Sequence, residues 1–181
     1  MPDINFDPFP QIKTERLLLR KITDADTEDI FKLRSDKNVM KYIGKKPIVT
    51  IGEARDWGKL IQDSLQNNSG ITWGISEAGK EPLIGTIGFW RIIKEHYRAE
   101  IGYMLLPQYW KQGFTKEAIL KVIDYGFQEM KLHSIEAHIN PKNIGSATVL
   151  EKTGFVREAY FKEDFFFDGA FEDTAIYSLL A

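Results

Sequence analysis

The chain is 181 residues long, 43% hydrophobic and 28% charged, which excludes a disordered chain and fits one domain. Its 24 lysines and arginines face 26 acids, a net charge of −2, so it lacks the electrostatic footprint of a nucleic-acid or anionic-membrane binder. Cysteine is absent, which excludes disulfides, thiolate metal sites and a cysteine nucleophile together.

The opening residues carry Pro2, Pro8 and Pro10 and no basic stretch ahead of an apolar run, the opposite of a signal peptide. No apolar run approaches the roughly 20 residues of a membrane span. The reading is a cytoplasmic protein with a single domain over residues 1–181, of which residues 1–12 form an N-terminal arm. Residues 15–20 fit a short strand. Capping-box patterns at Thr23 with Asp26 and at Thr50 with Glu53 predict helices over 24–34 and 53–66, the second ended by Asn67-Asn68-Ser69-Gly70. Residues 71–78, 82–93 and 98–106 are rich in Ile, Trp, Phe, Tyr and Thr and are separated by turn residues, which predicts an antiparallel meander.

From Gly113 the helical period returns. Ala118, Ile119, Val122, Ile123, Gly126, Phe127 and Met130 share one apolar face. A strand at 134–140 and a helix at 144–152 follow, with Gly154 at the C′ position. Two final strands flank Asp168-Gly169, a dipeptide that favours a type I′ hairpin turn. The expected fold class is α+β, or α/β in three layers: one central mixed, mostly antiparallel sheet with helices on its faces.

The entry to the long helix is the most informative segment. A strand ends, a short loop crosses, and Gly113 opens the helix with Lys111 and Lys116 close by. Helix N-termini present unpaired N–H groups and partial positive charge, so they hold phosphates. The same glycine would also serve simply to relieve a tight helix entry.

Ala99-Glu100-Ile101-Gly102-Tyr103, followed by Pro107-Gln108-Tyr109-Trp110-Lys111-Gln112-Gly113-Phe114-Thr115-Lys116-Glu117-Ala118, resembles motif A of the GNAT N-acetyltransferases in the form used by the RimJ/RimL branch. Thr14 to Arg20 resembles the family's opening strand, and Asn143 to Phe155 its Asn-x-x-Ser-x-x-Val-Leu-Glu-Lys-x-Gly-Phe helix. Thr115 stands where the superfamily prefers Gly or Ala, and Lys111 where this branch usually has Gly. The resemblance implies a GNAT-like fold whose fourth and fifth strands, 98–106 and 134–140, splay apart around the pantetheine of acetyl-CoA. It places backbone groups of Met104, Leu105 and Leu106 along the pantetheine. The N–H groups of Gln112, Gly113, Phe114 and Thr115 would hold the pyrophosphate, helped by Lys111 and Lys116, and Asn143 would reach the pantetheine arm.

Acetyl transfer to an amine needs a base for the ammonium proton, a donor for the oxyanion and an acid for the leaving thiolate. The resemblance makes Glu100 the candidate base, a backbone N–H near Met104 the oxyanion donor, and Ser146 the candidate acid. Tyr160 and Tyr177 are alternative acids. The alternative for Glu100 is an ion pair with Arg98 or Arg91; for Ser146 it is helix capping. Without cysteine, direct attack in a ternary complex is expected.

The three histidines, His96, His133 and His138, show no metal-like spacing and no carboxylate cluster around them, so no metal is expected. Phe165, Phe166, Phe167 and Phe171 read as a hairpin packing on the sheet. Glu163, Asp164, Asp168, Glu172 and Asp173 read as its solvated rim or as an attractor for a cationic amine. The expected acceptor is a protein N-terminal α-amine of the ribosomal-protein type. A small amine such as a polyamine, amino acid or antibiotic, and a non-catalytic acyl-CoA-binding module, stay as alternatives. A homodimer through the late hairpin is left open.

Overall fold

The computed structural model describes residues 4–181. The arm enters first: Ile4 and Phe6 are buried in the main core, the Phe6 N–H donates to Asn68 Oδ1 (3.1 Å), and the Trp73 indole N–H donates to the Pro10 carbonyl (2.6 Å). A two-residue strand β1 (Ile12–Lys13) then pairs with β2 (Leu17–Lys21), so the last residue of the expected arm already belongs to the sheet.

The region expected as one helix over 24–34 is subdivided. A 3-10 turn, Asp24–Asp26, leads into α1 (Thr27–Ser35), and a short α2 (Lys37–Met40) follows. Asp36 sets that break. Its extended backbone ends α1, while its carboxylate accepts the N–H groups of Asn38 and Val39 (2.7 and 3.0 Å) and so caps α2. The capping box at Thr50 and Glu53 forms as expected and opens α3 (Ile51–Gln66), two residues earlier than the pattern predicts.

The meander is β3 (Ile71–Glu77), β4 (Leu83–Ile93) and β5 (Arg98–Leu105). Then come α4 (Phe114–Gln128), β6 (Ser134–Ile139), α5 (Ile144–Lys152) and the hairpin β7 (Val156–Phe167) and β8 (Ala170–Leu180). All eight strands form one sheet in the order β1-β2-β3-β4-β5-β6-β8-β7. Neighbours are antiparallel except β5 and β6, which are parallel.

Strand alternation divides the core between the two faces. Trp73, Ile75, Ile87, Phe89, Ile101 and Leu105 meet Ala118, Ile119 and Val122 of α4. On the opposite face Ile22 and Leu83 pack with Ile30 of α1 and Ala54 of α3.

The hairpin turns at Asp168 (φ 48°) and Gly169 (φ 88°), the two left-handed residues a type I′ turn requires. Its aromatic tip does not pack on the sheet as expected. Phe165, Phe166 and Phe171 are exposed, because β6 pairs with β8 only over residues 175–180 and leaves the tip without a neighbour. The rings pack on one another instead, Phe165 on Phe167 and Phe166 on Phe171, and Asp168 forms an ion pair with Lys46 (3.0 Å).

Candidate active site

The parallel pairing of β5 and β6 covers three residue pairs, ending at Glu100 opposite Glu136. Beyond that point β5 runs on to Leu105 without a β6 neighbour, so the two strands splay and leave an open edge. The Leu106 N–H donates to the Ile84 carbonyl (2.9 Å). Alternation along β5 therefore aims the backbone groups of Met104 and Leu106 at β4, and those of Tyr103 and Leu105 at the open edge. The Leu105 carbonyl accepts the Trp110 indole N–H (2.6 Å), which ties the start of the following loop to the strand end.

Glu100 stands where the splay begins and is 5% exposed. Burial and the facing Glu136 carboxylate push its pKa up to about 7, against smaller opposing effects from Arg91 and Trp90. It forms no ion pair among the described residues. Arg98 is engaged elsewhere, 3.4 Å from Glu136 and donating to Ser134 Oγ (3.2 Å). A carboxyl group that is half ionised near neutrality is suited to accepting and releasing a proton.

The structure also corrects the expectation that no carboxylates join the histidines. Glu136 and His138 are two residues apart on β6 and share a face, and the parallel register sets Glu100 opposite Glu136. Ligand atoms of Glu100, Glu136 and His138 consequently lie within 4.8 Å of one another, with His138 Nε2 3.5 Å from Glu136 Oε1. The sequence concealed this because the three residues meet only through strand pairing.

Ser146 lies buried in the first turn of α5, but Asn143, not Ser146, caps that helix: the Asn143 Oδ1 accepts the Ser146 N–H (3.1 Å). This leaves the Ser146 hydroxyl to pair with the Tyr103 hydroxyl at 2.7 Å. Burial pushes the Tyr103 phenol up to about 12, so it stays protonated at neutral pH. Tyr103 belongs to the strand motif, and only the packing of α5 on β5 marks it by giving its hydroxyl the Ser146 partner. Alternation puts Glu100 and Met104 on one face of β5 and Tyr103 on the other. Of the other tyrosines, Tyr160 donates to Asp173 on the hairpin and Tyr177 donates to Glu151 (3.3 Å).

At the start of α4, Gly113 adopts φ 83°, which only glycine takes without strain, and Lys111 also has positive φ (60°). The first helical bond runs from the Glu117 N–H to the Gly113 carbonyl (3.0 Å), so the N–H groups from Gly113 to Lys116 have no intrahelical acceptor. Arg16, missed in the sequence because it was read only as strand, braces this turn. Its guanidinium donates to the Gln112 carbonyl (2.9 Å), pairs with Glu117 (2.7 Å) and lies 4.4 Å over the Phe114 ring. A Cβ on Gly113 would come 3.3 Å from the Arg16 guanidinium. Open N–H groups, the basic Arg16, Lys111 and Lys116, and an unpaired strand edge next to them form a cradle that fits a pantetheine pyrophosphate.

The sequence profile described as an acetyltransferase (GNAT) domain matches residues 16–156. The chain belongs to the GNAT acetyltransferase family. It is 38% identical over 172 residues to the uncharacterized N-acetyltransferase YoaA of Bacillus subtilis, covering 95% of this chain and 97% of that protein. It is 28% identical over 160 residues to the spermidine N(1)-acetyltransferase of Vibrio cholerae, covering 88% and 90%. Among solved structures, a GNAT-family acetyltransferase from Bacillus anthracis superposes with a TM-score of 0.84 at 34% identity, covering 94% of this chain and 98% of that one. The V. cholerae spermidine N-acetyltransferase, solved in complex with CoA and spermine, superposes with a TM-score of 0.82 at 27% identity, covering 92% and 96%. This GNAT protein is an acetyl-CoA-dependent N-acetyltransferase with an amine acceptor. Among its described residues no helix is long and apolar enough to cross a membrane.

Proposed function

We propose that this GNAT enzyme acetylates the α-amine of a protein N-terminus, with Glu100 as the base and Ser146, paired with Tyr103, as the acid. The observation that carries the proposal is Glu100 itself: a buried carboxyl group, without an ion-pair partner among the described residues, with a pKa of about 7 where β5 leaves β6. At neutral pH a useful fraction is ionised and able to take the proton an attacking ammonium must lose.

Acetyl-CoA, when bound, supplies the acetyl group as a thioester. The N–H groups of Gln112, Gly113, Phe114 and Thr115, with Lys111 and Lys116, are the proposed pyrophosphate cradle. Of the three strand-end residues expected along the pantetheine, Leu105 would offer its backbone together with Tyr103, because Met104 and Leu106 turn theirs to β4, and the Asn143 amide N–H₂, free of the capping bond its oxygen makes, would reach the same arm. Backbone N–H groups of Tyr103 and Leu105, on either side of Met104, face the open edge and are suited to an oxyanion. On the other strand face, the Ser146 hydroxyl, oriented by the Tyr103 hydroxyl, can deliver its proton to the leaving thiolate and regain one from solvent once CoA has left. Base and acid thus face opposite sides of one open strand, which suits direct transfer with no covalent enzyme intermediate. The proposal uses no metal, no nucleic acid and no membrane, needs a single copy of the chain, and places it in the cytoplasm with its donor.

The RimJ/RimL-like form of the Ala99–Ala118 segment supports the protein N-terminus as acceptor. A second reading, a small cationic amine, is supported by the spermidine acetyltransferases among the relatives and by the facing Glu100 and Glu136 carboxylates. The acidic hairpin rim supports it little, since Asp168, Glu172 and Asp173 are engaged by Lys46, Lys142 and Tyr160. Thiol release from acetyl-CoA with peptides beginning in Ala, Ser or Met, against spermidine and free amino acids, tests both readings. Turnover confined to the peptides supports the first, and turnover confined to spermidine replaces it with the second.

A further inference from the structure

Arg34, near the end of α1, is a buried charge that the mechanism leaves unused. It is 6% exposed, and its Nε has no hydrogen-bond partner. Its Nη1 reaches only the Met104 sulfur, a weak acceptor at 3.9 Å, and its guanidinium lies 4.8 Å over the Trp57 ring. No carboxylate forms an ion pair with it among the described residues. The acids nearest in sequence are committed: Asp29 to Lys32 and the Leu83 N–H, and Asp36 to the cap of α2. Burial alone lowers its pKa, with no acid opposing that effect. An arginine does not escape such a position by losing its proton, so a buried guanidinium without a carboxylate leaves an anion site unfilled.

The position of that site follows from β5. Met104, which Arg34 touches, shares a strand face with Glu100 and lies on the length of β5 that has no β6 neighbour. From these contacts we infer that Arg34 is an anion-recognition residue of the acceptor site, selecting amine acceptors that also carry a carboxylate. The inference rests on the amine-acceptor reading above and specifies its chemistry. The offset between Glu100 and Met104 is four residues, roughly 13 Å of strand. This exceeds the span from amine to carboxylate in a free amino acid. It suits an acidic side chain one or two residues beyond a peptide N-terminus. A polycation, by contrast, would meet a fixed positive charge.

The test is kcat/KM by thiol release for paired peptides that differ only by Asp or Asn at the second or third position, with free glutamate and its diamide as a separate arm. The wild type is expected to prefer the acidic peptide at least tenfold, and Arg34→Met to bring that ratio near one, with KM for acetyl-CoA within twofold of wild type. Four results would overturn the inference: no preference in the wild type, an equal loss on both peptides in the variant, a tenfold rise in its KM for acetyl-CoA, or a preference confined to free glutamate. The third would assign the anion to the donor, and the fourth to a small acceptor. If no amine is turned over, the acceptor reading itself fails, and the site is read by melting temperature with CoA present. The acidic peptide should then stabilise the wild type and not Arg34→Met; equal shifts, or none, overturn the inference.

Discussion

The two faces of the sheet are finished in different materials. Toward α4 and α5 the strands present Trp73, Ile75, Ile87, Phe89, Ile101 and Leu105 to a continuous apolar core, and the proposed donor cradle opens at the start of α4. Toward α1 and α3 the buried apolar cluster is small, centred on Ile22, Ile30, Ala54 and Leu83, and β5 carries Glu100 and Met104 on that side with Arg34 beside it. The contrast teaches a division of labour. In the proposed reading the donor face obtains its geometry from hydrocarbon and backbone, whereas the acceptor face holds charges whose burial is unfavourable and whose use is chemical. Strained or electrostatically costly groups persist where function needs them.

Perturbing each face should therefore fail differently. The largest stability effect belongs to the donor face: Ile119→Ala, at a fully buried position of α4, should cost about 3 kcal/mol in denaturant unfolding. A loss below about 1 kcal/mol would show that this face is less tightly packed than the contacts imply. Next comes Gly113→Ala, which forces a Cβ into a left-handed residue beside Arg16 and should cost about 1–2 kcal/mol. Calorimetric titration with acetyl-CoA should show weaker binding in the same variant; unchanged affinity would detach the cradle from the donor.

On the acceptor face the signs reverse. Glu100 holds its proton to about pH 7 in the fold but only to the ordinary carboxylate range when unfolded. Its contribution to stability is thus complete below about pH 4.5 and is lost as pH rises through 7, a loss of about 3 kcal/mol. Glu100→Gln should flatten that part of the stability–pH curve, and an unaltered slope would mean Glu100 is not the group responsible. The smallest effect is Arg34→Met, which removes a buried charge lacking a partner. Its melting temperature should equal or slightly exceed that of the wild type.

The same contrast explains what could be read in advance. The donor side is local in sequence: a strand, a loop and a helix start within Ala99–Ala118 bring their chemistry with them, and the capping residues and the Asp168-Gly169 turn are equally local. The acceptor side is assembled from distant segments. Glu136 and His138 reach Glu100 only through parallel pairing, and Arg34 meets Met104 across 70 residues; on the donor side Arg16, which reaches Gln112 across 96, is a distant part as well. The hairpin was legible as strands but not as an arm leaving the sheet, because that depends on where β6 stops.

The central claim is that Glu100 is the base, and the pH dependence of kcat/KM for CoA release tests it most directly. With the wild type, activity should rise about tenfold per pH unit and level off near pH 7, as Glu100 ionises. Glu100→Gln should keep its affinity for acetyl-CoA, lose that limb and fall at least a hundredfold in rate at pH 8. A variant that retains both the limb and most of the rate would contradict the account and move the base elsewhere in the splay.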